Sequence, residues 1–454
     1  MSESKYTSVK PVIDSSKKQV YIETYGCQMN VNDSEVVLSI LQEAGYSLCK
    51  DITKADVILV NTCSIRDNAE QRVLGRLDVF RQEKKKHRFI VGVLGCMAER
   101  MKEELLAIPV VDIVAGPDAY RDLPKLILAA STDGKQINTI LSHEETYADI
   151  APVRLDSNGV CAFISIMRGC NNVCSYCIVP YTRGPERSRD PQTILNEART
   201  LIDNGYKEIC LLGQNVDSYN WKGGDGQTVS FAQLLELTAQ LDDDVRVRFS
   251  TSYPNDIKDE VLYTMAKYEN ICKHIHFPVQ SGSDAMLVKM RRKYTRAGYL
   301  ERIAKIREII PDCGITTDVI AGFCGETPQD HEDTLSLFRQ VRYDGAFMFQ
   351  YSLRPNTLAA RHYEDDVPNE VKTARLNEII ALQNQISLEK NQECIGKTYK
   401  VLIEGTSKRS DAELVGRTSS NKACVFPAGG HKAGEYVDVK VLSCSSATLI
   451  CELA

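Results

Sequence analysis

The sequence lacks the features that would place the chain in a membrane, outside the cell or in a fibre. No apolar run reaches the roughly 18 residues of a membrane span, and the first 20 residues are polar, without the apolar core of a secretory signal. No repeat of fixed period is present. With 43% hydrophobic and 26% charged residues, the composition excludes a largely disordered, collagen-like or fibrous chain. We therefore expect a cytoplasmic protein with no membrane partner.

Charge and cysteine occur at levels that exclude two further classes. The net charge of −6 gives no overall attraction to a polyanion, so nucleic-acid binding would need a local basic patch. Sixteen cysteines in 454 residues are too few for a disulfide scaffold. In a reducing compartment such thiols are metal ligands, catalytic groups or small buried side chains. Ten of them lie mostly in apolar runs and are predicted to be core residues: Cys49, Cys161, Cys210, Cys272, Cys313, Cys324, Cys394, Cys424, Cys444 and Cys451.

The alternation of β-rich and helical stretches predicts an α/β protein of several domains. We expect a flexible tail over 1–18, a doubly wound parallel sheet over 19–135, a linker over 136–158, a partial parallel barrel of six β/α units over 159–390, and a small antiparallel β-barrel over 391–454. The first sheet is predicted to contain strands 20–24, 57–61, 89–94 and 111–115 and a helix over 33–44. The larger barrel is predicted to contain strands 162–167, 208–212, 245–251, 274–277, 315–321 and 347–351.

The clearest chemical motif is RGCNNVCSYC at 168–177, in which Cys170, Cys174 and Cys177 form a C-x3-C-x2-C triplet. Three closely spaced thiolates select zinc or an iron–sulfur cluster. A structural zinc site needs four ligands, and no nearby Cys or His supplies the fourth. A cluster with three protein thiolates leaves one iron open for a substrate or cofactor. The alternative is three unrelated thiols or an incomplete zinc knuckle.

Three other cysteines share a position relative to predicted strands. Cys27, Cys63 and Cys96 each come directly after a predicted strand, although 36 and 33 residues separate them. Equivalent ends of parallel strands lie side by side, so these thiols are expected to meet at one edge of the first sheet. A single cysteine after a strand is usually a buried small residue. Three at matching positions predict a second site with three thiolates.

Other predicted strands end in polar, glycine-rich segments at the same edge of the larger barrel. Such segments can hydrogen-bond a polar cofactor, and the candidate contacts are Tyr176, Gly213, Gln214, Asn215, Gln280, Ser281, Asp318 and Gly322. Basic clusters at 183–189 and 289–293 could contact RNA phosphates through Arg183, Arg187, Arg189, Arg292 and Lys293. A solvated face or an ion-pair network explains these clusters equally well. No side-chain acid or base is assigned a catalytic role.

Together these motifs resemble a known family. A C-x3-C-x2-C triplet at the start of a partial α/β barrel is similar to the radical S-adenosylmethionine enzymes. YGCQMN at 25–30, NTCSIR at 61–66 and GC at 95–96 resemble the methylthiotransferases within that superfamily. The resemblance runs from about residue 19 to the end of the chain. It implies an N-terminal methylthiotransferase domain, a radical S-adenosylmethionine core and a C-terminal, RNA-binding TRAM domain.

Local residues distinguish branches of this family. CQMN at 27–30, SIR at 64–66 and VPYTRG at 179–184 resemble the MiaB branch. That resemblance implies insertion of sulfur and a methyl group at carbon 2 of N6-isopentenyladenosine, at tRNA position 37, with two S-adenosylmethionine molecules used per product. The chain departs from the branch at 145–154 and at Asn356, where glycine is usual. Because asparagine tolerates left-handed turns, we expect the loop at 351–357 to persist.

The resemblance also implies cofactors and partners. One [4Fe–4S] cluster on Cys170, Cys174 and Cys177 would bind S-adenosylmethionine, and an auxiliary [4Fe–4S] cluster would bind Cys27, Cys63 and Cys96. An electron donor such as flavodoxin or ferredoxin and a monomeric chain are expected, while the sulfur donor stays open. Two alternatives are a methylthiotransferase acting on an aspartate of a ribosomal protein and a non-catalytic iron–sulfur protein that binds RNA and senses redox state. A protein with two zinc sites is a third.

Overall fold

The computed structural model describes residues 10–11, 13–64, 67–155, 158–224 and 226–454. Two compact units make up the chain, one of Met1–Asp156, Phe163–Val173 and Cys177–Thr200 and one of Ser157–Ala162, Cys174–Tyr176 and Leu201–Ala454. Within the described ranges, no helix is both long and apolar enough to cross a membrane. Several residues that carry predictions lie outside the described residues: 1–9 and 12 of the tail, 65–66 of the second cysteine motif and 156–157 of the linker.

A six-stranded parallel sheet forms the centre of the first unit. Its strands in chain order are Lys18–Tyr25, Tyr46–Leu48, Val57–Thr62, Ile90–Gly95, Ile113–Ala115 and Gln136–Asn138. The second strand lies outside the first and the others follow in sequence, which is the order of a doubly wound sheet. The fold prediction for this unit is confirmed. The three-residue strand Tyr46–Leu48 was not predicted, and Gln136–Asn138 lies in the stretch predicted as a linker.

Helices cover both faces of this sheet. Along the strand Val57–Thr62 the side chains alternate between two cores, because successive residues of a strand point to opposite faces. Val57 and Leu59 share a core with residues of the helices Gln28–Glu43 and Leu123–Thr132. Ile58 and Val60 share a core with residues of Asp67–Glu83 and Cys96–Met101. Burial on both faces explains the nearly continuous apolar sequence of the central strands. The helices of the N-terminal half are Gln28–Glu43, Asp67–Glu83, Cys96–Met101, Glu103–Leu106, Leu123–Thr132, Val179–Arg183 and Pro191–Asp203.

The larger barrel consists of two three-stranded sheets. One contains Cys161–Ser165, Glu208–Leu212 and Arg246–Ser250, and the other contains His274–His276, Gly314–Ala321 and Gly345–Gln350. A parallel bridge between Val247 and Ile271 extends the first sheet towards the second. The six strands alternate with helices, as predicted, and the chain adds an unpredicted hairpin of Asn220–Lys222 and Thr228–Ser230. The helices are Phe231–Ala239, Asp259–Lys267, Asp284–Lys289, Arg296–Ile309, Pro328–Val341, Leu358–His362 and Asn369–Gln392.

The C-terminal strands close into a barrel around a small core that includes Val401, Phe426 and Val439. In chain order they are Thr398–Thr406, Glu413–Arg417, Ala423–Pro427, Tyr436–Cys444 and Leu449–Leu453, and around the barrel the order is first, second, third, fifth, fourth. Four pairings are antiparallel, but the third and fifth strands pair in parallel. The predicted small antiparallel β-barrel is confirmed, with one parallel pairing among its five. Successive strands alternate in direction, so the third and fifth point the same way and can only pair in parallel.

Candidate functional site

Three thiols lie at the carboxyl edge of the first unit's sheet. Tyr25, Thr62 and Gly95 are in register across three adjacent parallel strands. Cys63 and Cys96 are the residues that follow two of them, and Cys27 lies two residues after Tyr25. The register therefore places the three cysteines at one edge, as their spacing after predicted strands indicates. Cys63 and Cys96 are buried and Cys27 is half-buried.

Glycines and asparagines let these loops approach one another. Gly26 has a φ of +120°, and a Cβ on it would lie 2.5 Å from the Cβ of Cys63. Only glycine fits such a position without displacing its neighbour. The buried Asn30 amide donates to Asn61 Oδ1 at 3.2 Å, and the Cys27 thiol donates to Asn30 Oδ1 at 3.2 Å. These contacts fix the first thiol relative to the strand that precedes the second.

A buried guanidinium adjoins the same thiols. Arg183 Nε lies 3.2 Å from Cys96 Sγ, and Arg183 Nη2 donates to Asp33 Oδ2 at 2.7 Å. The hydrogen bond with Cys63 lowers the pKa of Cys27 to about 6, and the positive charge of Arg183 acts in the same direction. Burial raises the pKa of Cys96, although Arg183 opposes that effect. The first site thus favours the thiolate form at Cys27, which is the form that binds metals.

The arginines at 183–189 do not form the exposed phosphate-binding patch that was predicted. Arg183, Arg187 and Arg189 are all buried. They pair respectively with Asp33, Asp118 and Glu197 within the first unit. Their guanidinium groups are engaged by carboxylates, so they present no surface to RNA. The alternative of an ion-pair network is what the structure shows.

The C-x3-C-x2-C segment contains two half-buried thiols, Cys170 and Cys177, and the buried Cys174. The Cys170 backbone N–H donates to the Gly184 carbonyl at 3.1 Å, in the first unit. In the second unit, the Ser175 backbone N–H donates to the Met290 carbonyl at 3.0 Å. Backbone hydrogen bonds therefore hold parts of this segment in place.

Arg292 lies beside Cys174 in the second unit. Its Nη1 is 3.4 Å from Cys174 Sγ, and its Nη2 donates to the Pro278 carbonyl at 2.9 Å. The guanidinium stacks on the Tyr253 ring, 4.3 Å from the ring centroid, and Nη1 is 3.5 Å from the Tyr176 hydroxyl. Arg292 was also predicted to contact RNA, and its burial corrects that prediction. Lys293 is exposed, and its contact with RNA stays a prediction.

Unsatisfied acceptors follow the strand Glu208–Leu212. Gln214 Oε1 and Asn215 Oδ1 are buried and have no hydrogen-bond partner among the described residues. Asn215 Nδ2 donates to Asp256 Oδ2 at 2.6 Å, which fixes the orientation of the Asn215 amide. Burial raises the pKa of the neighbouring Asp217 to about 7. Buried acceptors without partners are costly, so a ligand with hydrogen-bond donors would stabilise this region.

The remaining candidate cofactor contacts are held by protein groups. The Gln280 backbone N–H donates to the Asp318 carbonyl at 2.9 Å. The Ser281 hydroxyl is 3.4 Å from the Thr334 hydroxyl, and the Gly322 backbone N–H donates to Glu326 Oε1 at 3.0 Å. The Asp318 carboxylate lies 3.3 Å from a histidine that sequence reasoning missed, His276. An alternating polar strand, HIH at 274–276, was the available signal.

Comparisons with known proteins match all three parts of the chain. Residues 19–116 match the uncharacterised protein family UPF0004, residues 164–338 the radical SAM superfamily and residues 392–454 the TRAM domain. A Bacteroides thetaiotaomicron protein named tRNA-2-methylthio-N(6)-dimethylallyladenosine synthase is 55% identical over 99% of this chain and 99% of its own length. The chain belongs to this synthase family. An Amoebophilus asiaticus member is 56% identical over 96% of this chain and 92% of its own length.

Solved structures of low sequence identity share the fold of this chain. A radical S-adenosylmethionine methyltransferase, TsrM from Kitasatospora setae, is 13% identical with a TM-score of 0.56, covering 76% of this chain and 77% of its own. The radical enzyme OxsB gives a TM-score of 0.52 over 81% of this chain and 56% of its own. The radical SAM match contains the cysteine triplet, and the UPF0004 match contains Cys27, Cys63 and Cys96. The predicted family and fold class are confirmed.

Proposed function

We propose that the chain inserts sulfur and a methyl group at carbon 2 of N6-isopentenyladenosine in tRNA, next to the anticodon. The observation that carries this proposal is identity of 55% over 99% of both chains with a tRNA-2-methylthio-N(6)-dimethylallyladenosine synthase. The names of its relatives favour tRNA over a ribosomal protein as substrate. The radical SAM domain makes this an enzyme that uses an iron–sulfur cluster and S-adenosylmethionine, and not only an RNA-binding sensor.

Both thiol sets suit iron–sulfur clusters by their chemistry. Among the described side chains, no three Cys, His, Asp or Glu converge closely enough to bind one metal ion. A four-iron cluster is broader than an ion, so its thiolates bind different irons and need not meet at one point. Thiolates are the protein ligands of such clusters, and hydrogen bonds to their sulfurs tune the reduction potential. Arg183 beside Cys96 and Arg292 beside Cys174 are donors of that kind.

We assign one cluster to each set of thiols. Cys170, Cys174 and Cys177 would hold the cluster of the radical SAM domain, and Cys27, Cys63 and Cys96 an auxiliary cluster. When bound, the first supplies the electron that cleaves S-adenosylmethionine and the second carries the sulfur to be inserted. The chain's own residues bury Cys63, Cys96 and Cys174 and offer hydrogen-bond donors to the sulfurs of Cys96 and Cys174. An external reductant such as flavodoxin or ferredoxin is needed, and we propose that the chain acts as a monomer.

Gln214 and Asn215 are the strongest candidates for contact with S-adenosylmethionine. Their side-chain oxygens are buried acceptors with no partner among the described residues, and the cofactor carries ammonium and hydroxyl donors. The other candidates, which already contact protein groups or lie nearby, are Tyr176, Gly213, Gln280, Ser281, Asp318 and Gly322. The closed C-terminal barrel, which matches the TRAM domain, is proposed to hold the tRNA backbone, with Lys293 as a further contact. Single-stranded loops with exposed bases are what RNA-binding domains read.

Mass spectrometry of nucleosides from bulk tRNA tests this function directly. Cells that lack the gene should lose 2-methylthio-N6-isopentenyladenosine and accumulate N6-isopentenyladenosine. Complementation with the natural chain should restore the product, whereas a chain with Cys170, Cys174 and Cys177 replaced by Ala should not. Unchanged nucleosides in cells without a second synthase would contradict the proposal.

A further inference from the structure

Buried charges near the first thiol site do not balance. Among the described residues, three guanidinium groups, those of Arg168, Arg183 and Arg187, pair with two carboxylates, Asp33 and Asp118. Asp33 accepts from Arg168 at 2.8 Å and from Arg183 at 2.7 Å, and Asp118 accepts from Arg187 at 2.9 Å. Each of the five side chains is at most 4% exposed. This network carries one positive charge more than its carboxylates neutralise.

Within the part of the chain that the structure describes, neighbouring side chains other than the thiols do not supply the missing negative charge. Burial raises the pKa values of Tyr120 and Tyr147, so both phenols stay neutral. The buried Glu99 is paired with its own cation, Lys102, at 3.2 Å. Burial of an uncompensated charge costs several kcal/mol. The excess cation therefore needs an anion that the side chains of this network do not provide.

A second buried network in the same unit shows that the fold can match such charges. Arg154 pairs with Glu35 and Glu197, and Arg189 pairs with Glu197. Two guanidinium groups face two carboxylates there, and all four side chains are at most 7% exposed. The hydrogen bonds that join these side chains run between arginine and glutamate groups and involve no cysteine. The imbalance is found where the three thiols lie.

Arg183 is the member of the unbalanced network that reaches those thiols. Its Nη2 is occupied by Asp33 and its Nε lies 3.2 Å from Cys96 Sγ. Its Nη1 is buried and has no hydrogen-bond partner among the described residues. One donor thus touches a sulfur and a second is left free for a ligand.

We propose that Arg183 is a positioning residue that stabilises an anionic iron–sulfur centre on Cys27, Cys63 and Cys96. Nε donates to the Cys96 sulfur, Nη1 donates to the centre, and Asp33 holds the guanidinium in place. A cubane with three thiolates is an anion, and it supplies the negative charge that the network lacks. Because hydrogen bonds and positive charge favour the more negative, reduced form, Arg183 raises the reduction potential of this centre. The inference rests on the proposed function, which places a cluster at these thiols.

The test uses the full-length chain with Cys170, Cys174 and Cys177 replaced by Ala, so that reconstituted iron can occupy only the first site. A redox titration followed by electron paramagnetic resonance compares this parent chain with three variants of it, which carry Arg183→Gln, Arg183→Lys or Arg189→Gln. At the parent's midpoint we expect Arg183→Gln to lower the ratio of reduced to oxidised centre at least tenfold, a shift of about 59 mV to more negative potential. Arg183→Lys keeps the charge and should recover part of the shift. Arg189→Gln, in the balanced network, should cause none.

Each outcome decides between separate claims. An unshifted Arg183→Gln centre, or an equal shift in Arg189→Gln, would overturn the role of Arg183 while leaving the cluster assignment intact. A parent that binds no iron after reconstitution would instead reject the auxiliary cluster, and Arg183's role with it. If Arg183→Gln loses iron while circular dichroism shows a folded chain and Arg189→Gln keeps iron, the proposal is supported, because Arg183 is then needed to retain the iron–sulfur centre. In that case the reduction potential is measured on Arg183→Lys.

Discussion

The two thiol sites are built in opposite ways. Residues 27, 63 and 96 belong to three different strand ends, whereas residues 170, 174 and 177 lie within one short segment. The first set comes together only when the parallel sheet forms, because its three cysteines are far apart in sequence and follow strand ends that are in register. The second set is brought near by chain connectivity alone. A dispersed site therefore depends on tertiary structure, and a compact site on the local segment.

The arginines beside the sulfurs, Arg183 and Arg292, are also held in different ways. Arg183 is held by the carboxylate of Asp33, which partly neutralises it. Arg292 is held by the Tyr253 ring and the Pro278 carbonyl. Aromatic faces and carbonyls hold a cation without cancelling its charge. In the first site the surplus positive charge belongs to a network of three arginines and two aspartates. In the second site a single arginine, Arg292, carries the positive charge.

The largest expected effect separates the chemistry of the two sites. Replacing Cys170, Cys174 and Cys177 with Ala should abolish both reductive cleavage of S-adenosylmethionine and product formation. Replacing Cys27, Cys63 and Cys96 with Ala should abolish product formation but leave cleavage measurable. Deoxyadenosine and modified nucleosides quantified from one reaction would show the difference. Loss of cleavage in both variants would mean that the sites do not have separate roles.

Removing the carboxylate that anchors Arg183 should cost the fold more than removing an exposed one. Asp33→Ala removes the carboxylate that two buried guanidinium groups, those of Arg168 and Arg183, share, and breaking such a buried pair costs about 3–5 kcal/mol. Asp149→Ala breaks an exposed pair with Arg121 and should cost no more than about 1 kcal/mol. Urea unfolding of both variants measures the free energy of unfolding. Equal losses would refute the importance of the buried anchor.

The buried Asp217 of the second unit and the buried Asp33 of the first unit are expected to change stability with pH in opposite directions. Burial raises the pKa of Asp217 to about 7 from an ordinary value of 3.8. Between these values the folded chain binds this proton more tightly than the unfolded chain, so the Asp217 contribution to stability falls as pH rises. Asp217→Asn should remove that decline, and its advantage over the natural chain should grow from pH 4 to pH 7. Asp33 behaves oppositely, because Arg168 and Arg183 outweigh burial and lower its pKa.

Unfolding midpoints measured across this pH range would show the effect. The matched control is Asp33→Asn. Because the folded pKa of Asp33 lies below 3.8, its stabilising contribution is present above that pH and is lost as pH falls. A parallel pH profile for Asp217→Asn and the natural chain would contradict the assignment of the raised pKa.

The smallest effect is expected at Asn356, in the loop at 351–357. Asn356 has a φ of +70°, which asparagine adopts more readily than most residues. Asn356→Gly should therefore change the free energy of unfolding by less than about 1 kcal/mol. Asn356→Ala should cost about 1–2 kcal/mol, since alanine disfavours this region. Thermal unfolding of the two variants would test the ranking, and a larger loss for glycine than for alanine would contradict it.

The positions of the cysteines were predictable from sequence because each follows a strand. Apolar runs located the strands Val57–Thr62 and Ile90–Gly95 to within one residue, and that was enough to align Cys63 with Cys96. The helix after Cys27 was predicted to begin at residue 33 but begins at Gln28. Its N-cap is Cys27 in extended conformation, with no side-chain hydrogen bond to the helix. Sequence reasoning looks for a Ser, Thr, Asp or Asn cap and could not recognise a cysteine in that position.

The roles of the arginines were not predictable. A cluster such as RGPERSR at 183–189 has the same sequence signature whether it is solvated, binds phosphate or is buried. The deciding partner of Arg183 is Asp33, 150 residues earlier, and no local pattern links the two. Tertiary pairing over such distances is known only once the fold is known. The C-terminal barrel was easier to predict, because four of its five short strands alternate buried and more exposed side chains.

The distance between Asp33 and its partners has a consequence for the order of synthesis. A ribosome completes the three thiols and the parallel strands through Asn138 before it adds either Arg168 or Arg183. Domains begin to fold from the N-terminus while translation continues. At that stage the nascent sheet would have to keep Asp33 hydrated or protonated, since its counter-ions do not yet exist. An excised fragment that ends at residue 116 or 138 inherits the same defect, and a usable N-terminal piece must extend past Arg183.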